Sequence, residues 1–373
     1  MSLMLPPESA SAWSIVGVAH DLLAALRGEQ GLLPRAESAV LVVVDGLGAI
    51  DLRAHAGHAR ALTAGMGKKD VATSVFPSTT AAALTSILTG VWPGAHGLVG
   101  YSVLDRAGDR LVNQLSGWNE AAIDPASWQV APTVFETGRD EGRPVFAVGV
   151  AAYAGSGFSQ ATLRGADFVP APSPAQRVAL AYDLAHRHPG ALVYCYLPEV
   201  DKAGHKHGVD SLAWVAALED VDAALATRIP PGVGVLITSD HGMIDVPAHR
   251  QLVLDADDLQ GIAHVGGEPR MLHLYLEPDA DADAVLAGWR ERLEGSADVG
   301  SRDEAITSGL FGPEVSSAAA GRIGDILVVA RGNRALYDGT AADQRSRGMI
   351  GQHGALTAEE RLVPLLRRGA FAL

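Results

Sequence analysis

Four short aliphatic runs constrain this chain most. Ser38-Ala-Val-Leu-Val-Val-Val leads into Asp45-Gly46. Val145 to Val150 is a second run, and Ala191 to Val200, closed by Asp201, is a third. Val233 to Ser239 is a fourth, closed by Asp240-His241-Gly242. Short, continuous, β-branched runs predict strands buried on both faces. Helix-like stretches lie between them, including Ala175 to His188 and Leu212 to Thr227. Strands alternating with helices predict an α/β fold, a mostly parallel sheet sandwiched by helices. In such sheets ligands bind outside the carboxyl ends of the strands. Asp45, Asp201 and Asp240 all fall at that edge. A lone Asp there is ordinarily a turn or cap residue. Three at one edge, two with a histidine nearby, point to a shared crevice.

A second stretch, Val71 to Gly100, reads as a strand end, a turn at Phe76-Pro77 and a helix beginning near Ser78-Thr79-Thr80. Ala81 to Leu88 continue it, and Gly90 and Pro93 end it. Thr79 and Thr80 suit the helix start as caps. The free amides and positive dipole end of a first helical turn also favour an anion. A hydroxyl placed there is a candidate nucleophile toward phosphate.

The remaining chain divides by texture. Residues 1–35 read as a leader with an amphipathic helix around Ser14 to Leu26. Residues 36–250 and 321–373 read as the core, closed by a last helix from Glu359 to Arg368. Residues 251–320 read as a small α+β insertion, a candidate lid, with strands at His264 to Leu276 and Asp298 to Asp303 around a helix from Asp281 to Leu293. The net charge of −14 and the lack of a Lys/Arg-rich run argue against a nucleic-acid polymer as partner. They leave small anions open, because a bound cation reverses the local field. The single Cys195 rules out an intrachain disulfide and a multi-Cys zinc site. No run reaches about 18 uninterrupted apolar residues, so no membrane span is expected. The N-terminal stretch has no basic segment followed by an apolar one, which makes a cytoplasmic location the expectation. No feature of the sequence fixes an oligomeric state.

Asp201 and His205 stand four apart, and Asp240 and His241 are adjacent. Each pair needs partners from elsewhere, and Asp45 and His353 are the candidates. Mixed carboxylate and imidazole donors suit Zn²⁺ better than Mg²⁺.

The segments VVVDG, FPSTTAAALTSILTGVWPGAHG, PEVDKAGHKHG, TSDHGM and GQHG together resemble the alkaline phosphatase superfamily. Within it they are most similar to the type I phosphodiesterase/nucleotide pyrophosphatase family, in matching order from Ala39 to Gly354. The resemblance implies a parallel-rich α/β sandwich with two zinc ions, manganese or iron being alternatives. It implies a small phosphate-ester substrate and Thr80 as nucleophile, with Thr79 as fallback. One metal would be held by Asp201, His205 and His353. The other would be held by Asp45, Asp240, His241 and the Thr80 oxygen.

The chain departs from the family in two places. Ala81-Ala82-Ala83 follows the nucleophile where the family has a Thr-Phe-Pro-Asn-like segment. Tyr101 stands where the nucleotide enzymes carry an asparagine. Ala81 and Tyr101 are therefore the expected substrate contacts. A phosphomonoesterase or phosphonate hydrolase would use the same metal set, and a phosphomutase would need a cap over it. A metal-stabilised binding protein would need no hydroxyl at residue 80. Other polar residues have plainer expectations. His207 is an alternative to His205, and His96 is a turn residue. Lys68, Lys69 and Arg164 are solvated cations, and Cys195 is a small buried hydrophobe.

Overall fold

The computed structural model describes residues 13–372. Residues 1–12, the first part of the expected leader, lie outside it. The four aliphatic runs form the centre of an eight-stranded sheet. Its strand order is Trp13–Ser14, Val71–Thr73, Leu362–Gly369, Val233–Thr238, Ser38–Val44, Leu192–Leu197, Val145–Gly149 and Asp167–Pro170. From Val233–Thr238 to Asp167–Pro170 every pairing is parallel. Ser38–Val44 is buried at all seven positions, as a strand covered on both faces must be. Residues alternate between two apolar layers. Leu41 and Val43 face the layer holding the helices Val18–Arg27 and Thr80–Thr89. Val40, Val42 and Val44 face the helices Pro174–Arg187 and Leu212–Leu225.

The C-terminal end departs from expectation. The Thr357/Glu360 capping box opens a helix, but it runs only over Ala358–Arg361. Leu362–Gly369 is a strand, antiparallel to both Val71–Thr73 and Val233–Thr238. Pro364 explains the switch, since proline inside a helix removes a hydrogen bond and clashes with the preceding turn. The buried Val363, Leu365 and Leu366 then fill the sheet.

The region after residue 250 builds a second, wholly antiparallel sheet. Its order is Ile262–Glu268, Met271–Leu276, Ile326–Ala330 and Ala297–Ser301. Ile326–Ala330, expected in the core, belongs here. An apolar run of five residues does not reveal its partner, and this one pairs with Met271–Leu276 and Ala297–Ser301. One face of the sheet, with Leu272, Leu274 and Val328, packs on Trp289 of the helix Ala282–Arg292. The opposite face, with Met271, Leu327 and Val329, packs on Phe76, Val99 and Phe311.

The hairpin turn of this small sheet grips the chain near His353. Arg270 donates from Nε and Nη2 to the two oxygens of Glu360, at 3.0 and 2.7 Å. Both side chains are fully buried. Glu360 also accepts from the Ala355 amide and from Thr357. Glu268 lies against Gly354, where a Cβ would come within 2.6 Å of its Cγ and where φ is +128°. Removing one partner of a buried ion pair leaves a charge without compensation. Arg270→Leu is expected to cost about 3–5 kcal/mol of stability in urea unfolding. A loss below about 1 kcal/mol would mean that Glu360 finds other compensation.

Candidate active site and metal centre

The parallel strands bring their carboxyl ends to one edge. Asp45 follows Ser38–Val44 directly, and its amide donates to Leu197 O at 3.0 Å. Asp240 lies two residues past Val233–Thr238. Asp201 lies further from its strand than Asp45 does. Its strand ends at Leu197, and Asp201 sits in the first turn of the helix Glu199–His207. Its amide donates to Asp45 O at 3.1 Å, which joins the two turns. Gly46 makes this approach feasible: φ is +72°, and a Cβ there would stand 2.8 Å from the Asp201 backbone.

The helical setting puts Asp201 and His205 on one face, with Nε2 3.3 Å from the carboxylate. His353 arrives from the far end of the chain, its Nε2 3.3 Å from that of His205. His241 stacks on His353 at 3.5 Å between ring centres. Its Nε2 is 3.4 Å from Asp45 and 3.5 Å from Asp240.

Thr80 is the first residue of the buried helix Thr80–Thr89. Neither Thr79 nor Thr80 caps that helix through its side chain. Instead Thr80 Oγ1 lies 3.1 Å from His241 Nε2.

The imidazole tautomers follow from their neighbours. His205 Nδ1 meets Gly351 O at 2.8 Å, His241 Nδ1 meets Gly242 O at 3.0 Å, and His353 Nδ1 meets Ser78 O at 2.9 Å. A carbonyl only accepts, so each Nδ1 carries the proton and each Nε2 presents a lone pair. The lone pairs of His205 and His353 then face each other across 3.3 Å.

The carboxylates are equally uncompensated. Asp45 Oδ1, Asp201 Oδ1 and Asp240 Oδ2 are buried with no hydrogen-bond partner among the described residues. Burial, then the Asp240 and Asp201 charges, push the Asp45 carboxyl well above its ordinary range. Burial, then Asp201, push Asp240 up to about 7. Burial and the two neighbouring imidazoles hold His353 well below the usual histidine value. Facing lone pairs beside unpartnered anionic oxygens are a donor set for cations. Donor atoms of Asp201, His205 and His353 lie within 4.8 Å of one another, as do those of Asp45, Asp201 and His241. Asp201 thus enters both groups by distance, and Asp240 enters neither, although its Oδ2 is 3.5 Å from His241 Nε2.

Other expected residues lie elsewhere. Tyr101 is exposed, and its amide donates to Glu268 Oε2 at 3.0 Å. Ala81 is fully buried and offers only its backbone. His207, Lys68 and Lys69 are exposed. Arg164 spends its donors on Glu136 and on the carbonyls of Gln129, Ala131 and Ala161. His96 is buried between Ser86 Oγ and the Leu98 amide, and burial takes its pKa down to about 3. Burial pushes the Cys195 thiol up to about 12, so it is inert.

Tyr196 is a site residue the sequence did not announce. Its hydroxyl donates to Asp45 Oδ2. The only signal was a pair of tyrosines, Tyr194 and Tyr196, two apart in a buried strand. A cavity of about 410 Å³ opens beside Thr80, lined also by Tyr194 and Tyr196.

A family model described as type I phosphodiesterase/nucleotide pyrophosphatase matches residues 39–356. An uncharacterised pyrophosphatase/phosphodiesterase of Schizosaccharomyces pombe is 26% identical over 210 residues. That is 51% of this chain and 41% of that protein, so the match spans less than half of the curated relative. Two solved structures share the fold. Murine ectonucleotide pyrophosphatase/phosphodiesterase 5, in an inactive Thr-to-Ala form in complex with AMP, aligns with TM-score 0.68 and 19% identity, over 90% of this chain and 88% of that one. Phosphonoacetate hydrolase from Sinorhizobium meliloti 1021, in complex with phosphonoformate, aligns with TM-score 0.67 and 21% identity, over 90% and 91%.

Cation binding must displace protons from the raised carboxyls, so it strengthens as pH rises. The upward thermal shift produced by Zn²⁺ over EDTA-treated protein is expected to be larger at pH 8 than at pH 6. A shift that is absent, or equal at both pH values, would remove the carboxylates from the donor set.

Proposed function

The chain belongs to the type I phosphodiesterase/nucleotide pyrophosphatase family, within the alkaline phosphatase superfamily, and from that premise we propose that it hydrolyses small phosphodiesters or pyrophosphates through a phospho-threonine at Thr80. The observation that carries this reading is the Thr80 hydroxyl. It stands at a helix N-terminus, 3.1 Å from His241 Nε2, beside buried carboxylates with unpartnered oxygens. That the phosphodiesterase 5 structure is inactive as a Thr-to-Ala form supports a threonine nucleophile here.

Asp201, His205 and His353 would hold one divalent cation, and Asp45, Asp240 and His241 with the Thr80 oxygen a second. Zinc suits the donors best, with manganese or iron as alternatives. When bound, the pair supplies positive charge that lowers the pKa of a coordinated hydroxyl and offsets charge on the attacking and leaving oxygens.

The chain's own residues do the rest. The free amides of the first turn, Ala81 among them, face an anion and orient a phosphoryl oxygen. The expected Ala81 contact is then a backbone one. Thr80 Oγ gives up its proton to solvent and forms a bond to phosphorus as the bond to the leaving oxygen breaks, and the leaving oxygen takes a proton from water. A second water then displaces Thr80 from phosphorus, and the hydroxyl regains its proton. His241 lies beside Thr80 Oγ1 and keeps it turned toward the carboxylates. Tyr196 occupies one oxygen of Asp45 and leaves the other free.

Thr80→Ala is expected to lower turnover of bis-p-nitrophenyl phosphate by more than about a thousandfold while bound zinc is retained. Substantial remaining turnover would move the nucleophile elsewhere, to Thr79 first. Asp240→Asn removes a ligand charge, so metal analysis should show a lower zinc-to-protein ratio together with a lower rate. An unchanged ratio would take Asp240 out of the metal set.

A further inference from the structure

The helix Glu199–His207 carries two of the proposed cation ligands, Asp201 and His205, yet no side chain caps its start. Its C-terminal half is held on the ligand side. The Ile350 amide donates to His205 O at 2.8 Å, and His205 Nδ1 donates to Gly351 O at 2.8 Å. A Cβ on Gly351 would stand 2.7 Å from Gly204 O, so helix and strand back closely onto each other. The first turn is held from behind as well. Two residues of helix turn through about 200°, so Glu199 points away from Asp201 and the ligand face. There it meets Arg177 of the helix Pro174–Arg187, whose Nη2 donates to Glu199 Oε1.

Arg177 is an unfavourable choice for packing alone. Its side chain is fully buried. Its charge acts on the Cys195 thiol, which lies in the apolar layer beneath the sheet. Arg177 Nε and Nη1 find no hydrogen-bond partner among the described residues, and neither does Glu199 Oε2. An apolar pair of similar volume at such a place is commonly neutral or stabilising. Stability therefore does not account for the pair. What it supplies is direction. The guanidinium has its carboxylate in the first turn of the neighbouring helix, and a rotation of that turn would leave a buried charge alone. Side-chain atoms lie roughly 6 Å from a helix axis, so a rotation of about 20° would carry a ligand atom about 2 Å. His205 Nε2 now stands 3.3 Å from His353 Nε2, and Asp201 Oδ1 stands 4.0 Å from the same nitrogen. Neither distance would survive such a shift.

We propose that Arg177 and Glu199 are positioning residues: their buried ion pair fixes the rotation of the helix Glu199–His207 and so sets the affinity of the cation site formed by Asp201, His205 and His353. The site of Asp45, Asp240 and His241 hangs on strand ends and does not depend on the pair. This inference rests on the metal-dependent phosphoesterase reading of the same centre and adds to it two residues that touch neither cation nor substrate.

Zinc binding to the full chain, followed by competition with a chelating dye, tests it without turnover. Arg177→Met/Glu199→Leu removes both charges together, so its zinc-free form is expected to resist urea at least as well as the wild type. One zinc should nonetheless bind about tenfold more weakly, with the other unchanged. His353→Ala locates the loss. In that background the double substitution should have no further effect on the zinc that remains, whereas in the Asp240→Asn background its tenfold cost should persist. Unchanged affinity for both zincs, an equal loss at both, or a further loss in the His353→Ala background overturns the inference. Should the double variant fail to fold, Glu199→Gln keeps the shape of the side chain and should still weaken one zinc and spare the other; unaltered binding there overturns the inference too. If the zinc affinities behave as expected but no ester is hydrolysed, the phosphoesterase reading falls and the positioning role stands. A wild-type chain that takes up no zinc overturns both.

Discussion

Three carboxylates, each with one buried oxygen that lacks a hydrogen-bond partner, set the terms for everything near them. Asp45, Asp201 and Asp240 each keep an oxygen that no group among the described residues satisfies. A fold tolerates unpaired buried anions only if they protonate or find a cation. The raised values of Asp45 and Asp240 show the first response. The imidazoles fit the second. Three separate backbone carbonyls fix the protons of His205, His241 and His353 on Nδ1, and all three leave Nε2 toward the carboxylates. A set of histidines selected only for core packing would have no reason to share that orientation. Burial and tautomer therefore point to cation binding from independent directions.

Holding this arrangement is the task of elements distant in sequence. Parallel pairing of Ser38–Val44 with Leu192–Leu197 and Val233–Thr238 aligns the ends that lead to the three aspartates. His353 comes from outside the sheet. The Arg270–Glu360 pair ties its segment to the small sheet, and Ser78 ties it to the turn that leads into Thr80. The small sheet, expected as a candidate lid, thus has a contact role at the site through Glu268 and Arg270. Its burial against Phe76 and Phe311 makes it a wall of the core.

Local chemistry decided what could be read from the sequence. The four aliphatic runs were legible because burial on both faces permits little besides Val, Ile, Leu and Ala. Thr80 at a helix start was legible from the flanking Pro77 and the alanine run. The gathering of Asp45, Asp201, Asp240 and the histidines followed from the edge rule for parallel sheets and from the family resemblance together. Partner choice was not legible. Ile326–Ala330 reads as a strand, yet no residue in it says which sheet it joins. Leu362–Gly369 has helix-forming leucines and arginines, and only Pro364 marks the break. Tyr196 and the cavity were hidden for a related reason. A tyrosine in an apolar strand looks like packing until its hydroxyl is seen on Asp45. Tyr101 was expected at the substrate because of its place in the motif, but its amide is committed to Glu268 and its side chain faces outward.

Thr80 stands on a boundary between two dielectric worlds. On one side lie carboxylates and imidazoles that demand charge. On the other lies a cavity whose lining residues carry none. The same helix serves both, since the Thr80 hydroxyl at its start lies 3.1 Å from His241 Nε2 while Leu84 and Leu88 line the apolar side. A phosphoester straddling that boundary would place its anionic oxygens and its organic group in the surroundings each prefers, with phosphorus at the hydroxyl between them. Orientation of the substrate would then come from polarity as much as from individual hydrogen bonds.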